Sequence, residues 1–282
     1  MKYLSVFSGI EAASVAWKDL GWEAAGFSEI DPFASAVLAH HFPHIKNYGD
    51  ITKHHTWDIK PGSIDILIGG SPCQSFSAAG KRTGLDDPRG QLSLTYLELV
   101  KRLQPKWIVW ENVPNVLRSN QGRDFAHFII SLGQCGYGWT YRVLDSKFWG
   151  VAQQRRRVWL VAHLTDPSRS FRALFEQQGY SGDKQKDWPH SVSPTLQTSC
   201  GDYSRADSFV MIDQGNGLRR LSEIEAERLQ GFPDDWTKVP FKNKLADRCP
   251  SVRRYKAVGN SMATPVLKWI GSRIDLIEKG KL

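Results

Sequence analysis

The sequence lacks the features that would set it apart from ordinary globular proteins. Its four cysteines, Cys73, Cys135, Cys200 and Cys249, stand far apart, and no two form a C-x-x-C pair. A disulfide framework or zinc knuckle is therefore not expected; a reducing, cytoplasmic setting and no metal site are. No run approaches the roughly 20 apolar residues of a membrane span, so no membrane partner is expected. In the opening MKYLSVFSGIEAASVAW, the apolar stretch is broken by Ser8, Gly9 and Glu11 and ends in no convincing cleavage site. It is not expected to be a signal peptide. Internal repeats and low-complexity tracts are also missing. The string G-x-G-x-x-G is absent after the first apolar run, which disfavours a plain dehydrogenase.

What is present is a chain of 282 residues with 41% hydrophobic and 23% charged content. That is enough for a full α/β domain and a small second lobe. The formal net charge of +8 favours a polyanionic partner, because Lys and Arg contacts to phosphate release condensed counterions. A merely basic surface is an equal alternative on charge alone. Apolar runs at 3–8, 22–29, 64–68, 106–110 and 157–162 predict strands, and the stretches up to Leu20 and at 32–42, 91–103 and 262–277 predict helices. Strands that are continuous apolar runs and alternate with helices predict a doubly wound, mostly parallel α/β sheet of the Rossmann-like kind. Ligands then bind beyond the carboxyl ends of the strands.

Beyond His163 the composition turns rich in Ser, Gln, Asp, Gly and Pro. Regularity returns at Ser222 and Glu225, whose spacing is that of a capping box. The expected organisation is a catalytic and cofactor-binding domain at 1–163, a small irregular lobe at 164–235, and a C-terminal segment at 236–282 returning to the first domain.

The unusual residues fall at the predicted strand ends. In Phe7-Ser8-Gly9 the glycine lets the backbone approach a ligand, although many strand-to-helix turns contain one. Glu29 could accept hydrogen bonds from ribose hydroxyls, or be a surface carboxylate. Asp50 could take an adenine amino group, or be a turn residue. The segment Gly69-Gly70-Ser71-Pro72-Cys73-Gln74 is sharper, since Pro72 stiffens the turn and would hold the Cys73 thiol at the sheet edge. A nucleophilic thiol must ionise, and Lys81, Arg82 and Arg89 follow closely; a buried structural cysteine is the alternative. Glu111, in Trp-Glu-Asn-Val-Pro, could hydrogen-bond a base edge and share a proton, or cap the next helix. In Gln153-Gln154-Arg155-Arg156-Arg157, strand alternation puts Arg155 and Arg157 on one face. Paired guanidiniums suit a phosphate, a carboxylate or a polarised carbonyl.

Taken in order, FSG, SEID, GDIT, GGSPCQSFSAAG, WENVP, QQRRR, RRLSEIEAERLQGFPDDW and AVGNSMATPV resemble the motifs of the DNA (cytosine-5) methyltransferases. The resemblance covers nearly the whole chain except about 164–215. It implies transfer of a methyl group from S-adenosyl-L-methionine to C5 of cytosine in double-stranded DNA, with Cys73 adding to C6. It also implies that Glu111 binds the ring at N3 and the exocyclic amine, that Arg155 lies near the base carbonyl, and that Arg157 supports the site. Phe7, Ser8, Gly9, Glu29, Ile30, Asp50, Ile51, Pro72, Asn260 and Ser261 are the implied cofactor positions, with Glu29 at ribose and Asp50 and Ile51 at adenine. Ser77, Lys81, Arg82 and Arg89 are the implied DNA contacts, in a segment at about 74–90 that closes over a flipped base, with Gly80, Gly84 and Gly90 as hinges.

Two departures stand out. Glu11 and Ala12 follow Gly9-Ile10 where the family often has more glycines. The recognition region is also short, which predicts a site of about two to four base pairs. A monomer is expected, and a cognate restriction endonuclease is a partner that the resemblance leaves open. A tRNA cytosine-C5 methyltransferase would share the catalytic motifs but not the absent Cys-Phe-Thr string. A silent DNA-binding paralogue is disfavoured by the intact Cys73, Glu111, Arg155 and Arg157.

Overall fold

The apolar runs become the buried centre of one six-stranded sheet. The computed structural model describes residues 1–71, 90–175, 193, 196, 211–213 and 218–282. Four strands, β1 (Lys2–Val6), β2 (Glu23–Ser28), β3 (Ile66–Gly69) and β4 (Trp107–Asn112), pair in parallel in the order β2-β1-β3-β4. At the far edge β6 (Arg156–Leu164) runs antiparallel to β4, and β5 (Tyr137–Asp145) runs antiparallel to β6. The expected α/β, mostly parallel architecture is therefore the observed one, with an antiparallel pair closing one side.

Successive side chains of a strand point to opposite faces, and here both faces are apolar. Tyr3, Ile66, Ile68, Trp107 and Val109 belong to one core cluster, while Leu4, Val6, Leu67, Ile108 and Trp110 belong to the other. The helices are α1 (Ala12–Trp17), α2 (Pro32–His41), α3 (Gly90–Leu103), α4 (Arg123–Gln134), α5 (Pro167–Leu174), α6 (Glu223–Gln230), α7 (Ser251–Asn260) and α8 (Thr264–Glu278). α1, α2 and α8 cover the first face with Trp17, Phe33, Leu267 and Ile270; α3 and α4 cover the second with Tyr96, Leu99, Phe125 and Phe128. Each fully buried Leu, Ile or Phe contributes roughly 1.5–3 kcal/mol relative to exposure. Helices on both faces are what permit strands without polar alternation.

β5, α4 and α5 were not anticipated from the sequence. β5 is half-exposed along most of its length, so it carries no unbroken apolar run. Its Gly138 is required by packing: a Cβ there would lie 2.5 Å from Pro167, the first residue of α5. Within the 164–235 stretch, α5 rests on β5, β6 and α8, and α6 rests on α7. Leu221, Ala226 and Phe232 join the first core cluster. The anticipated capping box is present, with Ser222 Oγ accepting from Glu225 N at 3.2 Å and Glu225 Oε2 accepting from Ser222 N at 2.7 Å. α8 begins at Thr264, with Pro265 in its first turn, two residues later than expected. A short ribbon pairs β7 (Met211–Asp213) with β8 (Leu218–Arg220).

Candidate active site

The carboxyl ends of β1, β3 and β4 surround a cleft of about 430 Å³, lined by Ser5–Gly9, Ala12, Ala13, Ile68, Gly70, Glu111 and Asn260–Met262. Residues more than 250 positions apart in sequence meet here because α7 returns its last residue to the end of β1, an interior strand of the sheet.

One wall is a turn made of backbone. Phe7 (φ 51), Gly9 (φ 57) and Glu11 (φ 64) are all left-handed, which drives the chain sharply from β1 into α1. Hydrogen bonds hold the turn. Ser8 N donates to Ser28 O at 3.1 Å, Ser28 N donates to Ser8 Oγ at 3.1 Å, and Gly9 N donates to Glu29 Oε2 at 2.7 Å. Glu29 Oε1 in turn accepts from Ile30 N at 2.9 Å and Asp31 N at 2.7 Å. A carboxylate has about four acceptor positions, so Glu29 retains capacity for a ligand donor. Ile30 is 72% exposed, an apolar side chain presented to solvent just beyond this turn. A Cβ added at Gly9 would meet nothing within 4 Å, so the backbone there is open to a ligand. Asp50 Oδ1 accepts from Thr52 N at 2.9 Å and starts the 3-10 turn Ile51–Thr56. Ile51 is buried in the second core cluster, which leaves its backbone rather than its side chain for contact.

One charged side chain also lines the cleft. Glu111, at the end of β4, lines the cleft, and its Oε1 lies 3.1 Å from Arg157 Nε. Both side chains are largely buried, 13% and 14% exposed, so the pair is screened far less than a surface pair. The contact is an ion pair without hydrogen-bond alignment, and Oε1 keeps its acceptor capacity. Gly70 is forced by proximity to the same residue, since a Cβ there would lie 2.2 Å from Glu111 O.

The two arginines have different surroundings. Arg157, expected as support, meets Glu111. Arg155, expected nearest the base carbonyl, is 3% exposed and donates from Nη2 to Gly259 O at 3.2 Å and Ser261 O at 2.7 Å. β6 begins only at Arg156, so strand alternation does not reach back to Arg155. Its backbone N donates instead to Asp145 Oδ1 at 2.8 Å. Arg155 therefore ties β6 to the turn after α7, and that turn places Asn260 and Ser261 on the cleft.

Several residues that build the site were not singled out in the sequence. Gln230, fully buried, donates from Nε2 to Val258 O and Ser261 O, both at 3.0 Å, so it shares the Ser261 carbonyl with Arg155. Asn112 Nδ2 donates to Ser71 O at 3.2 Å, and Ser93 Oγ to Ser71 Oγ at 3.2 Å. Trp236 Nε1 donates to Ile10 O at 2.8 Å. The string Leu-Gln-Gly-Phe-Pro-Asp-Asp-Trp carried a signal for two of these, Gln230 and Trp236. Pro72, Cys73, Ser77, Lys81, Arg82, Arg89 and the predicted hinges Gly80 and Gly84 lie outside the described residues. Among the described residues no group of His, Cys, Asp and Glu is arranged to hold a metal, and no helix is long and apolar enough to cross a membrane.

A family model for C-5 cytosine-specific DNA methylase matches residues 1–208 and 190–275. The chain is 31% identical to the type II methyltransferase M.NgoBI of Neisseria gonorrhoeae, over 95% of this chain and 90% of that protein. It is 30% identical to a protein of Escherichia phage P1 named DNA N-6-adenine-methyltransferase, over 96% of this chain. The match spans 61% of the phage protein, less than two thirds of its length. The fold superposes on the crystal structure of S. pombe Dnmt2 methyltransferase with a TM-score of 0.70, over 99% of both chains. At 18% identity this likeness bears on the fold alone.

Proposed function

The chain belongs to the C-5 cytosine-specific DNA methylase family, and from that premise we propose that it methylates cytosine at C5 in double-stranded DNA, using S-adenosyl-L-methionine. The observation that carries this reading is that Glu111, ion-paired with Arg157, lines the same cleft as the open Phe7–Gly9 turn. The site thus combines a place for a nucleotide-like cofactor with a desolvated carboxylate that can engage a base.

The residues fit the cofactor. The uncrowded backbone at Gly9 admits its amino-acid end, the Glu29 carboxylate can accept from a ribose diol, and exposed Ile30 offers an apolar face to adenine. When bound, the cofactor supplies an electrophilic methyl group. In the proposed mechanism, the target cytosine is flipped out of the duplex, because C6 is inaccessible in the stack. Glu111 binds N3 and the exocyclic amine and favours a proton at N3, while Arg157 fixes the carboxylate and faces the same ring. The Cys73 thiolate adds to C6, C5 becomes nucleophilic and accepts the methyl group, a base removes the C5 proton, and elimination restores the thiolate and releases 5-methylcytosine. Arg155 acts by holding Gly259–Ser261. Ser71, fixed by Asn112 and Ser93, anchors the chain just before Pro72 and Cys73.

The recognition lobe is proposed to lie within 164–235 and to read about two to four base pairs, and the enzyme to act as a cytoplasmic monomer. Whether a cognate endonuclease accompanies it is tested by restriction of DNA from non-expressing cells. The name of the phage P1 relative makes adenine N6 the second product to examine. Nucleoside mass spectrometry of duplex DNA and of tRNA, each incubated with the protein and labelled cofactor, is the test. The expected result is 5-methylcytosine in DNA; N6-methyladenine, or label only in tRNA, would overturn the assignment. Bisulfite sequencing of the product then gives the site, and methylation confined to a long site would contradict the short-lobe reading.

A further inference from the structure

The turn after β1 holds a carboxylate that the mechanism does not use. Glu11 is 0% exposed, and it takes the left-handed conformation (φ 64, ψ 63) at the residue before α1. A fully buried carboxylate and a left-handed residue with a side chain are each unfavourable, and here one residue carries both. Oε1 accepts from Ser14 N at 3.1 Å and Ser14 Oγ at 3.0 Å, and the Tyr3 hydroxyl is 2.6 Å from that same Oγ. Oε2 is buried and has no hydrogen-bond partner. The residues around Glu11 line the cleft: Gly9 before it, Ala12 and Ala13 after it, and Ser5, whose hydroxyl acts on the carboxylate. The chain on both sides of Glu11 therefore lines the cleft, and Ser5, which lines it too, is the neighbour nearest in effect to a carboxylate whose Oε2 accepts no aligned hydrogen bond.

Desolvation raises the Glu11 carboxyl to about 7, against the opposing effect of Ser5 and Ser14. Near neutral pH it is balanced between its neutral and charged forms. A cation brought close to a carboxylate in a low-dielectric surround favours the charged form. The other titratable or charged groups on the packed elements are differently engaged. Burial pushes the Tyr3 phenol, on β1, upward, so it stays neutral. Lys268 of α8 is paired with Asp19, and Arg273 of α8 donates to the carbonyls of Arg172, Ala173 and Phe175. Around the cleft stand Glu29, bonded to Gly9, and the Glu111–Arg157 pair.

Resting on the cofactor assignment above, we propose that Glu11 is the buried countercharge of the cleft, a positioning residue that ionises when a ligand carrying an α-ammonium group occupies it. Binding of an S-adenosyl amino acid then releases a proton below neutral pH. The sign follows from linkage: where the empty site binds more protons than the occupied one, affinity rises with pH and levels off once Glu11 is charged in both states.

The test is isothermal titration of the full chain with S-adenosylhomocysteine, which has the α-ammonium group, in buffers of different ionisation enthalpy. Release of most of one proton at about pH 6, falling to nearly none at about pH 8.5, is expected, with binding about 10-fold weaker at the lower pH. The comparison ligand 5′-methylthioadenosine lacks the amino-acid part and should bind without proton release. Folded Glu11→Gln should bind S-adenosylhomocysteine with a flat pH profile and no proton release; persistence of the proton in that variant would overturn the proposal. If Glu11→Gln does not fold, the two ligands on the natural chain decide, and equal proton release by both would overturn it. Binding of S-adenosylhomocysteine with no pH-dependent proton release would also overturn it, leaving the cofactor reading intact. Failure of S-adenosylhomocysteine to bind at all would overturn the cofactor reading itself.

Discussion

The two halves of the sheet reach the same functional edge in opposite ways. β1, β2, β3 and β4 are parallel and arrive with their carboxyl ends, so that half is built from turns that follow strands: Phe7–Glu11, Glu29 and Gly69–Ser71. β6 runs antiparallel to β4, with Val158 opposite Asn112, so it arrives with its first residues. Arg157 can therefore stand beside Glu111 although it opens a strand rather than ending one. The parallel half holds its geometry mainly through backbone hydrogen bonds and left-handed turns. The antiparallel half contributes guanidinium groups, one of which meets the Glu111 carboxylate at the end of β4. On the proposed function, cofactor binding draws on the turns after β1 and β2, and base chemistry on the seam where β4 meets β6.

The comparison breaks most visibly at Glu111. Glu111→Gln should lower methylation by about 10²–10⁴-fold, the range for losing an acid–base group. Calorimetric affinity for S-adenosylhomocysteine should hardly change, and a parallel loss of affinity would show that the cofactor turns and the β4–β6 seam are not separable. The arginines sharpen the contrast within the antiparallel half. Arg157→Ala should cost about 10²-fold in rate with a nearly unchanged denaturation midpoint. Arg155→Ala takes the side-chain donor from the Gly259 carbonyl and one of two from the Ser261 carbonyl, and should destabilise the chain by about 2–4 kcal/mol in chemical denaturation. If Arg155→Ala were as stable as the natural protein, its assignment as the tie to Gly259–Ser261 would be wrong. The smallest effect is expected at Asn112, whose amide links β4 to Ser71 beyond β3, within the parallel half. Asn112→Ala should cost about 1–2 kcal/mol in the same measurement. Its loss in rate should exceed its loss in cofactor affinity, because Ser71 precedes the nucleophile rather than the cofactor turn.

Much of this was legible in the sequence, for physical reasons that also mark the limits. Strands buried on both faces must be continuous apolar runs, so β1, β3 and β4 announced themselves. β5 lies at the edge and is half-exposed, so its residues obey no such rule, and the glycine that admits α5 looks like any turn residue. The carboxylates at strand ends, Glu29 and Glu111, could be located because motif and strand end coincide. The different surroundings of Arg155 and Arg157 could not, since period-2 alternation applies only within a strand and β6 starts between them. Gln230 stood inside a matched motif, but what it holds was not legible, because the carbonyls are 28 and 31 positions away. Glu11 could be noticed as a departure from the family pattern, but its complete burial depends on the packing of α1 and no local signal gives it.

In the proposed reaction Cys73 attacks a cytosine whose C5 then accepts a methyl group. Duplex DNA containing 5-fluorocytosine in the recognition site tests it directly, because fluorine cannot leave C5 as a proton does and the final elimination is blocked. With S-adenosyl-L-methionine present, the account predicts a denaturant-stable protein–DNA adduct, with mass spectrometry placing a methylated fluorocytosine on Cys73. No adduct on DNA that the enzyme methylates in its unsubstituted form, or an adduct on Cys135, Cys200 or Cys249, would contradict it.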